Sequence, residues 1–136
     1  MRIRRMQISG FGIHRDLAFE LDPSAPAALF FGLNEAGKST ISAFIRAVLF
    51  GFPTRANMPE RYEPPGGGSH GGILTMIDGL GREIRIERYA NRVAARLLFP
   101  DGSEGGEAEL KALLGGITAD LYRNLFAFSL SELQQI

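Results

Sequence analysis

Residues Gly32-Leu33-Asn34-Glu35-Ala36-Gly37-Lys38-Ser39, followed by Thr40, complete the pattern G-x-x-x-x-G-K-[ST]. Few short patterns constrain a chain more. Such a loop turns successive backbone N–H groups inward and ends at a helix N-terminus, so donors and dipole together favour a polyphosphate. Gly32 and Gly37 let the backbone curl without Cβ clashes. The amides from Asn34 through Glu35, Ala36 and Gly37 to Thr40 form the expected cradle. Lys38 is expected to reach the β- and γ-phosphates and to stabilise charge in the transition state, and the Ser39 hydroxyl to bind Mg²⁺. Thr40 is the natural donor to the α-phosphate. In a chain with 17 glycines the four fixed positions could coincide by chance. Context argues otherwise, because the apolar run Ala27-Ala28-Leu29-Phe30-Phe31 enters the loop and a helical pattern leaves it.

At 136 residues, 45% hydrophobic and 22% charged, the chain has the size and composition of one soluble globular domain. Formal net charge is zero, so no whole-molecule field attracts nucleic acid or membrane. Thirteen of the 15 cationic residues are Arg, Lys38 and Lys111 being the two lysines. Genomic composition explains that bias as well as phosphate binding does. With no cysteine, disulfides, Cys-ligated zinc and thiol chemistry are excluded. Met1-Arg2-Ile3-Arg4-Arg5 starts like a signal peptide, but no apolar stretch of about 7–15 residues follows. No run approaches the ~18 apolar residues that span a bilayer. The expected location is cytoplasmic.

Local patterning gives an α/β order. Ile3–Ser9 reads as a strand with Met6 and Ile8 on one face, although Ile3 breaks the period-two register. Gly10-Phe11-Gly12 reads as a turn. Leu17, Phe19 and Leu21 alternate with Ala18 and Glu20 as a second strand, giving a hairpin. The doubly apolar run at 27–31 fits a central, covered strand. Lys38–Phe50 is helical, with Ile41, Phe44, Ile45, Val48 and Leu49 at helix spacing and Arg46 away from them; Gly51 and Pro53 stop it. Residues 54–72 lack periodicity and read as a flexible loop. Ile73–Ile77 and Glu83–Tyr89 flank Asp78-Gly79-Leu80-Gly81, a strong hairpin signal. Val93–Phe99 continues the β-rich middle, and Glu107–Leu114 is a short helix closed by Gly115-Gly116. Thr118 caps a helix through Leu125, residues 126–130 read as a strand, and 131–136 as the first turn of a helix.

A hydrolysing enzyme of this type also needs an acidic site, normally at the end of four apolar residues, for Mg²⁺ and water activation. Ile73-Leu74-Thr75-Met76-Ile77-Asp78 mimics it. Asp-Gly followed by an alternating strand is hairpin chemistry, however, so Asp78 is expected to support the turn and point to solvent. The chain carries the phosphate cradle without an evident water-activating half.

The start of the chain resembles the N-terminal ATPase lobe of the SMC/SbcC superfamily, and within it the YhaN-like ATPases with coiled coils. The residues that carry the resemblance are Ile8-Ser9-Gly10-Phe11-Gly12, Phe19, Phe31 through Thr40, and Leu49-Phe50-Gly51. Tyr62-Glu63-Pro64 with His70-Gly71-Gly72, and Asn124 through Leu133, point to the YhaN-like branch. The resemblance implies a P-loop NTPase half-domain, the N-terminal lobe of an ABC-type head, with a mixed sheet and a β-hairpin-rich insert. Residues 1–136 would then be one lobe, with the coiled coil and C-terminal lobe lying outside this chain. It further implies ATP and Mg²⁺ as cofactors, dimerisation of two heads around two ATP molecules, and negligible hydrolysis by one lobe alone. The implied partners are its own C-terminal lobe, a second head forming a homodimer, and an SbcD-like metallophosphoesterase nuclease acting on DNA ends in repair. DNA would be engaged in the full assembly, and no membrane is involved.

Two departures matter. SbcC-like relatives carry an Arg in the turn where this chain has Gly12; His14 and Arg15 lie nearby, and either take the nucleotide-contacting role or form a solvated polar turn. Relatives also place a glutamine that binds Mg²⁺ and water near this lobe's end. Here Ser129 takes the aligned place, and Gln134 is the candidate metal ligand, against the plain alternative of an exposed helix-start glutamine. Two other classes compete with the ATPase lobe: a self-contained small P-loop kinase using Arg55 and Arg61 in a lid, and a DNA- or protein-binding module with a vestigial loop. For the last, Arg82, Arg85, Arg88, Arg92 and Arg96 supply charge, although ion pairing with Glu83 and Glu87 is the plainer expectation.

Overall fold

The computed structural model describes residues 2–20, 35–53, 62–92 and 94–116, with the backbone alone at residues 2 and 35–39. Two hairpins lie side by side in it. Strands β1 (Arg2–Phe11) and β2 (His14–Glu20) form the first, and β3 (Gly71–Ile77) and β4 (Glu83–Tyr89) the second. The short β5 (Arg96–Leu98) and β6 (Glu104–Gly105) follow, and the sheet order is β2-β1-β3-β4-β5-β6. Helix α1 (Glu35–Phe50) packs on one face against β1, β3 and β4, and helix α2 (Glu107–Leu114) lies against β5 and β6.

The α/β reading holds in this coarse form, and the hairpins correct its detail. The second hairpin is no separate insert, because β3 pairs with β1 along nearly their whole length. Every pairing among the described residues is antiparallel rather than mixed. The expected central strand at 27–31 lies outside the described residues, as do Gly32 to Asn34, residues 54–61, Val93, and everything from 117 on, Ser129 and Gln134 included.

Alternation explains the core. Met6, Ile8, Leu74, Met76, Ile84, Ile86 and Leu97 point to one face and are buried beneath α1 and α2. Each such side chain contributes about 1.5–3 kcal/mol by leaving water. Register shifts between Ile3 and Arg5, and between Ile8 and Gly10, mark bulges on β1 against β3. The first explains why Ile3 breaks the period-two pattern: Arg4 is the extra residue, and its guanidinium pairs with Glu83 at 2.5 Å. Gly10 and Phe11, expected in a turn, complete β1 instead; Phe11 pairs with His14, which leaves Gly12-Ile13 as a two-residue turn.

None of residues 40–50 of α1 is exposed, and Ser42, Arg46 and Phe50 are half-buried. Ile41, Phe44, Ile45, Val48 and Leu49 are buried as their spacing predicts, and Ala43 and Ala47 join them. Its approach to the sheet depends on Gly72, where a Cβ would lie 2.1 Å from the Gln7 carbonyl oxygen and 2.9 Å from Phe44 Cζ. The helix stops at Gly51, whose N–H donates to the Ala47 carbonyl at 2.8 Å and whose φ is +106°. Helix α2 follows its expected bounds. Glu109 accepts from the Gly106 N–H at 2.7 Å, and Gly115 closes the other end in the left-handed region.

The strand expected over 93–99 shrinks to three residues because its neighbours bond elsewhere. Arg92 N–H donates to the Tyr89 carbonyl, and Ala95 N–H to the Glu107 carboxylate at 2.8 Å. Among the described residues no helix is long and apolar enough to cross a membrane.

Candidate nucleotide site

Helix α1 begins at Glu35, three residues before the expected Lys38, so Glu35, Ala36, Gly37, Lys38, Ser39 and Thr40 are its first six residues. The first four N–H groups of a helix have no acceptor within it. They point out of the N-terminus with the positive end of the dipole. The motif thus runs into the first turn of a helix, and the earlier start places the Ser39 and Thr40 N–H groups, expected in the cradle, within the helix's own hydrogen bonding. Thr40 is 4% exposed and closes the first turns against the sheet.

What covers Thr40 is the tight turn between β1 and β2. Gly12 has φ +55°, and a Cβ there would lie 3.0 Å from Thr40 Cγ2 and 3.2 Å from Tyr62 Cδ1. The Gly12 N–H donates to the Tyr62 carbonyl at 2.6 Å. Below the turn, Phe11 stacks on Tyr62 with centroids 5.3 Å apart and planes at 16°, and meets Phe44 of α1 edge-on at 5.6 Å. Phe52 and His70 complete the cluster, edge to face at 4.7 Å. Apolar and aromatic packing thus fixes the turn against the helix start, and such ring pairs add about 0.5–1.5 kcal/mol beyond area burial.

The loop read as 54–72 ends at His70, because Gly71 and Gly72 enter β3. Its described part, from Tyr62, is anchored. Besides the Tyr62 contacts, Pro64 is buried, and Arg15 Nη2 donates to the carbonyls of Gly67 at 2.8 Å and Pro65 at 3.3 Å. Arg15 thus braces this segment, and His14 is buried at the start of β2. The exposed member of the turn is Ile13, at 67%. Sequence reasoning missed both Ile13 and Tyr62. An isoleucine in a turn position that favours polar residues was the available signal.

Asp78 supports its turn as expected. Oδ1 accepts from the N–H groups of Leu80 and Arg82 at 2.9 and 2.8 Å, and Oδ2 from Arg82 Nε at 2.8 Å. Its side chain does not point to solvent, however, and is only 8% exposed. Partial burial raises its pKa, but the Arg82 and Leu80 hydrogen bonds more than offset this and hold the carboxyl below its ordinary range. With every oxygen committed to the hairpin, Asp78 is turn chemistry.

The arginines offered for nucleic acid are largely engaged. Arg82 pairs with Asp78, Arg96 with Glu104, and the buried Arg88 with Glu107 at 2.5 Å. Glu83 takes Arg4 rather than Arg85 as its partner. Arg88 also donates from Nε to the Val48 carbonyl at 2.9 Å, joining the C-terminal end of α1 to the start of α2. Burial raises the Glu107 pKa, but the Arg88 and Ala95 hydrogen bonds outweigh it and the carboxyl stays below its usual value. An open cleft of about 670 Å³ lies between the 63–70 segment and the end of β4, lined by charges of both signs, Glu63, Glu87, Arg92 and Arg96. No cluster of three or more His, Cys, Asp or Glu suited to a metal exists among the described residues.

The AAA domain family matches residues 1–135 of the chain. The chain is also 32% identical over 137 residues to the uncharacterized protein YhaN of Bacillus subtilis (strain 168), an alignment that covers all of this chain. It spans 14% of that relative's length.

Proposed function

The chain belongs to the AAA domain family as a YhaN-like N-terminal ATPase lobe of the SMC/SbcC-like superfamily, and from that premise we propose that it binds ATP through Gly32–Thr40 and supplies half of a composite hydrolytic site. The observation that carries the reading is the start of α1 at Glu35, which sets Ala36, Gly37 and Lys38 in the first turn of a helix.

That arrangement fits a nucleoside triphosphate. The free amides at the start of α1, from Asn34 to Gly37, would hold the phosphate oxygens, and Lys38 would neutralise the γ-phosphate. Ser39, with Gln134 as a candidate second ligand, would hold Mg²⁺, which would supply neutralising charge to the phosphates. The chain's own contribution is positioning and electrostatics, which dominate phosphoryl transfer. Arg15 and His14 act through the turn: Arg15 braces the 65–67 segment, and His14 is packed at the base of the hairpin.

The water-activating half is assigned to a C-terminal lobe beyond a coiled coil. Two such heads closing on two ATP molecules would couple occupancy to a change of shape in the coiled coil. We assign the whole protein to DNA repair or DNA-end processing with a metallophosphoesterase nuclease, on the superfamily relationship. The purified lobe is expected to bind ATP and hydrolyse it negligibly, and mixing it with the matching C-terminal lobe to restore turnover. Rapid, Lys38-dependent hydrolysis by the lobe alone would overturn the split-site reading.

A further inference from the structure

We propose that α2 is a releasable element of this lobe, docked through a clasp at Arg88 whose grip depends on where the end of α1 lies. Nothing in the clasp depends on what the phosphate loop binds.

Helix α2 is built lightly. Its eight residues make about two turns, and a helix that short has little stability of its own. It buries Leu110 and Leu114 and lies against β5 and β6, strands of three and two residues. A glycine pair brackets each end, Gly105-Gly106 before it and Gly115-Gly116 after it. The second pair has φ +62° and +90°, with open space where side chains would stand. Those two glycines serve conformation rather than packing, as hinge positions do.

The N-terminal end of α2 is anchored at a guanidinium. Arg88, 4% exposed on β4, donates from Nε to the Val48 carbonyl at 2.9 Å and from Nη1 to the Glu107 carboxylate at 2.5 Å. Val48 lies in the last turn of α1, where carbonyls lack partners within the helix and a cation is favoured. Glu107 is the first residue of α2, where the opposite end of a helix dipole favours a carboxylate. It also accepts from the Ala95 N–H at 2.8 Å. The bond to Val48 orients the guanidinium, and the oriented guanidinium then meets Glu107. Because Arg88 is buried, losing the carboxylate costs far more than losing an exposed ion pair would. Docking of α2 therefore follows the end of α1: a shift there turns the guanidinium away from Glu107.

Hydrogen exchange on the purified protein is the test. In wild type, the α2 amides from Leu110 to Leu114 are expected to exchange through an opening that leaves β1, β3 and β4 protected. Glu107→Gln keeps the shape of the side chain and removes its charge. It should speed α2 exchange by about ten- to hundredfold while the strands stay unchanged. Gly51→Ala acts at the other end of the clasp, since Gly51 has φ +106° and a Cβ there would lie 3.8 Å from Arg88 Nη1. It should loosen α2 relative to the strands as well. Exchange of α2 and the strands through one common opening in wild type would overturn the proposal. So would an α2 unaffected by Glu107→Gln, or helix and strands loosened equally by it. An α2 that responds to Glu107→Gln but not to Gly51→Ala would overturn its dependence on α1.

Discussion

A methyl group on Gly12 would meet the side chains of Thr40 and Tyr62 at 3.0 and 3.2 Å, in a backbone conformation with φ +55°. Left-handed geometry costs a residue with a Cβ about 1–2 kcal/mol, before either neighbour moves. Gly12→Ala is therefore expected to lower stability by about 1–2 kcal/mol in a denaturant titration. It should also weaken ATP binding, because relief of the contact displaces either the turn or the start of α1. Unchanged stability and affinity would show that the turn is not seated on the helix as described. The same position shows how a departure from relatives can be read physically. Where the SbcC-like resemblance implies an arginine, this chain has Gly12, which lets the turn's backbone touch the helix, and Ile13 is the exposed residue of the turn.

At the scale of elements, the Asp78 carboxylate closes the turn of the β3–β4 hairpin. Asp78 has a folded-state pKa below its ordinary value, so its stabilising contribution is full above about pH 4, the unfolded carboxylate value. It is lost as the pH falls through the lowered folded value. Asp78→Asn should make the hairpin less stable at neutral pH and flatten this acid limb, as read by pH-dependent unfolding. An acid limb identical in the variant would count against the assignment. The hairpin was legible in advance because its signal is local: Asp-Gly between alternating strands. Helix α2 was legible for the same reason, through its periodicity and its Gly115 cap. The pairing of β3 with β1 was not, because it joins residues some seventy positions apart and leaves no local trace. The shrinkage of the 93–99 strand was equally hidden, since it depends on Glu107 reaching the Ala95 amide. In the candidate site, the helix half of the phosphate loop was readable from its motif. The Tyr62 stack on Phe11 was not, since that contact comes from a segment without periodicity.

For the molecule as a whole, α1 runs from the candidate phosphate site to the Arg88–Glu107 pair. Arg88 Nε holds the Val48 carbonyl near the helix C-terminus, while Gly12 packs on Thr40 near its start. One helix thus connects the candidate phosphate site to α2. The chain spans 14% of the length of its YhaN relative. The proposed function depends on polyphosphate capture at the start of α1. The most direct measurement is calorimetric titration of a non-hydrolysable ATP analogue with Mg²⁺ into the wild-type chain and Lys38→Ala. Loss of a charge-assisted contact to phosphate predicts saturable, one-site binding to wild type that weakens by about ten- to hundredfold in the variant. Equal affinity in the two proteins, or no binding by wild type, would contradict the account.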